Sequence, residues 1–204
     1  MAGFGRDTVP VMVTVRRATN DDIARLANTA TRAFAGDPLL RWFYPADDEY
    51  FEQVPQMTAY LCRRWQATDS QWCTDDGVAM AGWAPPGRPD VEVEPPSLVH
   101  SERRLAKFEA LGITRAQHTP GEAHWYLNML ATHPEWQRQG LGAALMEAVF
   151  AIADQQGLPC FLETETADNV AYYRHHGYEV RSEWDLAIDD EPGPHMWGML
   201  RPPR

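Results

Sequence analysis

The sequence predicts an α/β (α+β) chain built on one mixed, mostly antiparallel sheet with flanking helices, and three observations carry that expectation. Residues 71–74 and 78–83 are β-prone runs joined by Asp75-Asp76-Gly77, whose Asp-Gly pair closes an antiparallel hairpin. Residues 125–132, 140–156 and 160–164 then read as strand, long amphipathic helix and strand, and a crossover of that length makes the two strands parallel neighbours. The 204 residues, 44% hydrophobic and 23% charged, suit one globular domain with a sizeable core.

Taken in order, residues 1–10 are expected to be a flexible leader and 11–204 a single domain, opening on Val11-Met12-Val13-Thr14-Val15 as an edge strand. Thr19 suits a helix N-cap with Asp22 at the reciprocal capping position, and Ile23, Leu26, Ala27, Ala30 and Phe34 recur at helical spacing until Gly36-Asp37-Pro38. Residues 39–44 add a short turn, and 49–65 read as a second helix in which Pro55 is a kink or a restart. Past the hairpin, residues 84–96 contain five prolines and form a surface connection, and 97–111 look helical. In the long helix Leu141, Leu145, Val149 and Ile152 form the stripe that packs on the sheet. A short helix at 168–176 and strands at 178–185 and 195–200 complete the chain, with no internal repeat.

Charge and composition narrow the partners. A formal net charge of −11 lacks the basic field of a nucleic-acid binder and mildly favours cationic small molecules. No window reaches the roughly 18 apolar residues of a membrane span. Cys62, Cys73 and Cys160 are odd in number and lack Cys-x-x-Cys spacing, so neither a disulfide framework nor a zinc knuckle is indicated. With Arg6 and Asp7 in place of an apolar signal core, a cytoplasmic protein is expected. His175 and His176 diverge on a helix and have no third ligand at useful spacing, so no metal is expected.

Gln137-Arg138-Gln139-Gly140-Leu141-Gly142 joins the strand at 125–132 to the long helix. There the first-turn backbone N–H groups have no partner within the helix, so they and the positive end of the dipole face an incoming anion. A glycine pair alone is equally a structural turn. Ala143-Ala144-Leu145 supplies no third glycine for a dinucleotide fingerprint, and no Gly-Lys-Ser/Thr marks a nucleoside-triphosphate loop. A second element, Asn169-Val170-Ala171-Tyr172-Tyr173-Arg174-His175-His176-Gly177-Tyr178, follows in its own strand–helix–strand setting.

Together the two elements resemble the GCN5-related N-acetyltransferase (GNAT) superfamily. Its phosphate motif is matched by Gln137, Gly140 and Gly142, and its later motif by Asn169, Tyr173, Gly177 and Tyr178. Within the superfamily the likeness is closest to puromycin N-acetyltransferase-like members, through the run from Val15 to Asp22, Phe161-Leu162-Glu163-Thr164 and Gly193-Pro194-His195-Met196-Trp197. Arg138-Gln139 stands where Gly-Lys is commoner, and Tyr172 where Phe is usual.

The resemblance implies a central splayed pair of parallel strands, an acceptor side over about residues 36–120 and an acetyl-CoA side over about 124–200. It implies that acetyl-CoA is the co-substrate and that a primary amine of a small molecule attacks its thioester directly. The coenzyme would be held by Leu130, Ala131 and Thr132, by the turn from Gln137 through Arg138, Gln139, Gly140, Leu141 and Gly142 to Ala143, and by Asn169 and Tyr173. Tyr173 would give its proton to the departing thiolate, since a phenol near pKa 10 can serve a thiol of about 8.5 at modest cost. Strand alternation puts Phe161, Glu163 and Glu165 on one face, and Glu163 is the first candidate to hold or relay the ammonium proton, ahead of Asp37, Glu122 and His195. Trp42, Phe43, Glu163 and Trp197 are the expected acceptor contacts. A protein Lys or N-terminus as acceptor, and a non-catalytic acyl-CoA sensor, are the competing readings; a homodimer is the assembly considered.

Overall fold

The structure, a computed structural model, describes residues 13–87, 89–98 and 100–204. The expected leader, and Val11 and Met12 of the edge strand, lie outside the described residues. The chain runs β1 (Val15–Arg17), a 3-10 turn (Asn20–Asp22), α1 (Ile23–Ala33), α2 (Pro38–Phe43), α3 (Asp47–Ala67), β2 (Gln71–Thr74), β3 (Ala79–Ala84) and α4 (Glu102–His118). It continues through β4 (Trp125–Thr132), a 3-10 turn (Pro134–Trp136), α5 (Leu141–Gln156), β5 (Cys160–Thr164), α6 (Ala167–His175), β6 (Glu179–Ile188) and β7 (Glu191–Arg201).

The seven strands form one sheet in the order β1-β2-β3-β4-β5-β7-β6, antiparallel except between β4 and β5. The mixed sheet expected from the hairpin and the crossover is therefore present. One face is covered by α5, whose Leu145 and Val149 are fully buried against Trp83, Leu127 and Leu162, with Leu141 also buried and Ile152 half-buried on the same cluster. On the other face Leu26 and Ala30 of α1 and Cys62 and Trp65 of α3 pack on Cys73, Met80 and Ala131. Each large apolar side chain so buried contributes about 1.5–3 kcal/mol. A third cluster joins α2, α4, β6 and β7 through Phe43, Leu111, Trp184, Leu186 and Met196.

Three elements differ from expectation for identifiable reasons. Helix α4 starts at 102, not 97, because the Ser101 side chain accepts from the Arg104 N–H at 3.2 Å and caps it there. It runs on past Gly112 to His118, its inner face held by buried Arg104, Lys107 and Leu111. Pro55 lies inside a continuous α3, so it is not a restart. Strand β7 begins four residues early because a turn at Asp189 (φ 46°) folds it back along β6. Pro192 and Pro194 are tolerated there because β5 pairs with β7 only from Trp197 to Arg201, leaving one side of the proline segment without a strand neighbour.

Buried Asp22 ties β1 to the start of α1. Its carboxylate accepts from Arg16 at 2.7 and 2.9 Å, Arg25 at 2.6 Å, and the Thr19 N–H and hydroxyl at 2.9 and 3.1 Å. The Arg16 guanidinium above all holds this carboxyl well below the usual carboxylate range. Asp22→Ala is expected to destabilise the fold by about 2–3 kcal/mol in urea unfolding, less than a fully buried pair would lose because Arg16 stays partly solvated. Because the folded-state pKa is depressed, this contribution is complete above pH ~4 and declines in stronger acid, so the gap between wild type and variant should narrow there.

Candidate active site

A cleft of about 1050 Å³ opens where β4 and β5 part. Their parallel pairing spans only Trp125–Cys160, Tyr126–Phe161 and Leu127–Leu162, although β4 continues to Thr132 and β5 to Thr164. On its other edge β4 carries an extra residue, Asn128, where the register with β3 shifts between Gly82 and Trp83. A bulge of this kind bends and twists its strand, which here turns β4 away from β5.

At one end of the cleft the chain enters α5 through Arg138 (φ 61°) and Gly140 (φ 81°), both left-handed. Gly140 supplies no side-chain cap, and Ala144 is the first residue whose N–H bonds back to the Gly140 carbonyl, at 3.0 Å. The N–H groups of Leu141, Gly142 and Ala143 therefore lie at the open end of the helix, an anion-binding arrangement. At Gly142 a Cβ would meet the Tyr172 hydroxyl at 2.9 Å and Leu130 Cδ2 at 3.6 Å, so any larger residue there must displace the Tyr172 side chain.

Most of the residues expected to hold the coenzyme meet at this end. Leu130, Thr132, Gln137, Arg138, Gly140, Leu141, Gly142, Ala143, Asn169 and Tyr173 line the cleft. Gln137 braces the turn by donating to the Thr132 carbonyl at 3.3 Å. Ala131 points to the opposite face, buried against Met80 and Cys73, as the period-2 alternation of β4 requires, and Gln139 is exposed outside the cleft lining. Thr166 caps α6 by accepting from the Asn169 N–H at 3.2 Å. Both Tyr172 and Tyr173 line the cleft, with ring centroids 5.4 Å apart; Tyr172 reaches the Gly142 turn and Tyr173 also packs on Tyr178.

Burial, then the neighbouring Tyr172, Glu165 and Asp37, pushes the Tyr173 hydroxyl well above its ordinary pKa. It stays protonated across the neutral range. Complete transfer of its proton to a thiolate is accordingly less favourable than the ordinary phenol value implies, so the geometry suits a hydrogen-bond donor.

The other end of the cleft is apolar with a few charges. Phe34, Leu40, Phe43, Phe108 and Leu111 line it, and Phe43 stacks on Phe108 at 4.3 Å. Two residues expected on the acceptor side lie elsewhere. Trp42 is buried in the cluster against β7, where its carbonyl accepts from Lys107 Nζ at 2.8 Å, and Trp197 sits in the sheet between Thr164 and Glu183, its ring 4.3 Å from that of His195. The aromatic run 42–44 after the first helix predicts Trp42 and Phe43 together, but adjacent helical residues face different ways.

Glu163 does line the cleft, but its Oε2 already accepts from Arg115 Nε at 2.7 Å and from the Tyr126 hydroxyl at 3.2 Å. Its Oε1 is buried without a hydrogen-bond partner. Glu165, two residues on and on the same face, also lines the cleft, together with Asp37, which caps α2 by accepting from the Leu40 N–H at 2.9 Å. Burial raises both carboxyls, and for Glu165 the charges of Asp37 and Glu163 add to it, so Glu165 retains a proton far above the usual carboxylate range. A raised folded-state pKa means that stability is lost as pH climbs from ~4.3 through the folded value. Glu165→Gln, which mimics the protonated form, is expected to leave Tm unchanged at pH 4 and to raise it at pH 8, by about 2–4 °C per kcal/mol of charge burial removed. An equal Tm at both pH values would show that Glu165 is not held in its neutral form.

Glu165 could be found by continuing the strand alternation that singled out Glu163. Arg115, Phe108, Leu111 and Tyr126 carry no local signal; the first three reach the cleft on α4 and Tyr126 on β4. Among the described residues no group of three or more His, Cys, Asp or Glu side chains is arranged to hold a metal ion, and no helix is long and apolar enough to cross a membrane. All three cysteines are free and buried.

Residues 102–180 match the model of an acetyltransferase (GNAT) domain. An uncharacterized N-acetyltransferase of Schizosaccharomyces pombe is 33% identical over 79 residues, which make up 39% of this chain and 32% of that protein, so the match spans about a third of the relative's length. A Corynebacterium glutamicum structure described as histone acetyltransferase HPA2 and related acetyltransferase superposes with a TM-score of 0.67 at 20% identity, over 94% of this chain and 97% of that one. Arylalkylamine N-acetyltransferase 2 of Aedes aegypti gives a TM-score of 0.66 at 11% identity, over 95% and 100% of the two chains. The PaiA N-acetyltransferase of Thermoplasma acidophilum, solved in complex with coenzyme A, gives 0.54 at 12% identity, over 93% and 98%. The sheet with its single parallel pair is the fold of these acetyltransferases.

Proposed function

We propose that this chain is a GNAT N-acetyltransferase that moves the acetyl group of acetyl-CoA onto the primary amine of a small molecule. The observation that carries the reading is one continuous cleft joining the anion-binding turn at Gly140–Ala143 to an apolar end that holds Asp37 and Glu165. Acetyl-CoA supplies an activated thioester whose acyl carbon accepts the amine and whose thiolate departs. Leu141, Gly142 and Ala143 offer backbone N–H groups to its pyrophosphate, with Arg138 beside them. The part of β4 beyond Leu127, released from β5, offers main-chain groups to the thioester oxygen. Asp37 and Glu165 hold the ammonium and take its proton, the role sequence alone had given first to Glu163, whose Oε2 is occupied by Arg115 and Tyr126. Tyr173 donates a hydrogen bond to the leaving sulfur.

A small acceptor is favoured because α4 covers this end with Phe108, Leu111 and Arg115, where a protein tail would need an open groove. That an arylalkylamine N-acetyltransferase shares this fold supports an amine of this class as acceptor. Three unpaired thiols fit a cytoplasmic setting. The test is to incubate the protein with acetyl-CoA and a panel of 2-phenylethylamine, hexylamine, puromycin and short peptides, following thiol release. Release dependent on a small amine is expected. Peptide-only turnover would move the acceptor to proteins, and tight acetyl-CoA binding with no turnover would favour an acyl-CoA sensor.

A further inference from the structure

Resting on that reading of the cleft, we propose that Arg115 sets the charge of the acceptor end, so that the cleft takes an amine bearing one positive charge on an apolar body and rejects diamines. Arg115 comes from α4, 48 residues from Glu163 in sequence, and its Nε lies 2.7 Å from Glu163 Oε2. Its guanidinium carbon sits 5.8 Å from the centroid of the Tyr126 ring, whose hydroxyl donates to the same carboxylate oxygen. An arginine remains charged at any working pH, so it cancels Glu163.

The remaining charged groups at this end are Asp37, from the α1–α2 junction, and Glu165, from the bend just after β5. Burial raises both carboxyls, and the charges of Asp37 and Glu163 raise Glu165 further, so Glu165 is the one held protonated and Asp37 is the more readily ionised partner for an incoming ammonium. Arg138, Asp168, His175 and His176 line the far, coenzyme end. The rest of the acceptor end is walled by Phe34, Leu40, Phe43, Phe108 and Leu111, which pair with hydrocarbon but not with a second ammonium.

A diamine must therefore bury its second cation against that wall or beside a guanidinium of like charge, and either disfavours it. Glu163 Oε1, buried and without a hydrogen-bond partner, is the latent second site: without the guanidinium, this carboxylate becomes an uncompensated anion facing the cleft.

The test compares hexylamine with 1,6-diaminohexane, which share a chain length and differ by one charge. In the wild type kcat/KM for hexylamine is expected to exceed that for the diamine at least tenfold. Arg115→Met is expected to shift the ratio at least tenfold toward the diamine, and the double variant with Glu163→Gln to restore it. Should Arg115→Met not fold, Arg115→Gln carries the same expectation. A wild type that uses the diamine as well as the monoamine, or a ratio unmoved by loss of Arg115, overturns this inference while leaving the acetyltransferase reading standing. Turnover of none of the panel amines, the diamine included, by protein that binds acetyl-CoA overturns both.

Discussion

Gly142→Val is expected to abolish acetyl-CoA binding while leaving the fold intact. A Cβ at this position meets the Tyr172 hydroxyl at 2.9 Å and Leu130 at 3.6 Å, both of which line the cleft, so a valine side chain fills cleft space beside the turn and is expected to keep a pyrophosphate off its N–H groups. Hydrogen bonds to a charged group are worth about 1.5–3 kcal/mol each, so losing two weakens binding by about a hundredfold or more. Gly142 lies within the first turn of α5 and is not among the positive-φ residues, and the partly exposed Tyr172 can swing aside, so the backbone tolerates valine. Calorimetric titration with acetyl-CoA, alongside thermal unfolding, separates the two effects. Gly142→Ala should fall between wild type and valine, and undiminished affinity in the valine variant would remove the turn from the coenzyme site.

The second large effect is expected at Tyr173. Tyr173→Phe keeps the ring against Tyr178 and removes only the hydroxyl, so acetyl-CoA affinity should stay nearly constant while kcat falls by about 10²–10³. The pH profile carries independent information. Because burial keeps this hydroxyl protonated across the neutral range, the variant's profile should retain the wild-type shape and drop uniformly. A lost alkaline limb would instead mean that Tyr173 titrates during turnover. An alkyl ammonium of pKa ~10.4 is neutral in only about one molecule in 10³ at pH 7, so the rising limb should belong to the amine and its carboxylate acceptors. An unchanged kcat would leave the leaving thiolate without its assigned donor.

The two predictions differ in how far sequence alone leads to them. The turn at Gln137–Gly142 and the Asn169–Tyr178 element are local: glycine conformation, the open N-terminus of a helix and the capping of a short helix act within a few residues, and the structure brings both to one end of one cleft. Even so, the finer placement within those segments depended on packing. Alternation along β4 turned Ala131 into the core, and Tyr172 proved to be the ring that reaches Gly142.

At the acceptor end local reasoning ran short. The aromatic run after α1 suggested Trp42 and Phe43 together, yet only Phe43 faces the cleft, because α2 turns Trp42 onto the strands behind it. Glu163 and Glu165 are equivalent by alternation, and what separates their roles is Arg115, delivered by a helix whose boundaries the sequence placed several residues away.

By itself, then, the sequence determined the mixed sheet, the crossover into α5 and the open helix N-terminus at Gly140–Ala143, since these follow from hydrophobic period, turn chemistry and short-range backbone geometry. Only the tertiary structure decided where β4 leaves β5, which carboxylate is paired with an arginine and which are not. Charge and burial at those atoms are summed over neighbours far apart in the chain, Asp37, Arg115, Tyr126 and Glu165, and no local pattern contains that sum.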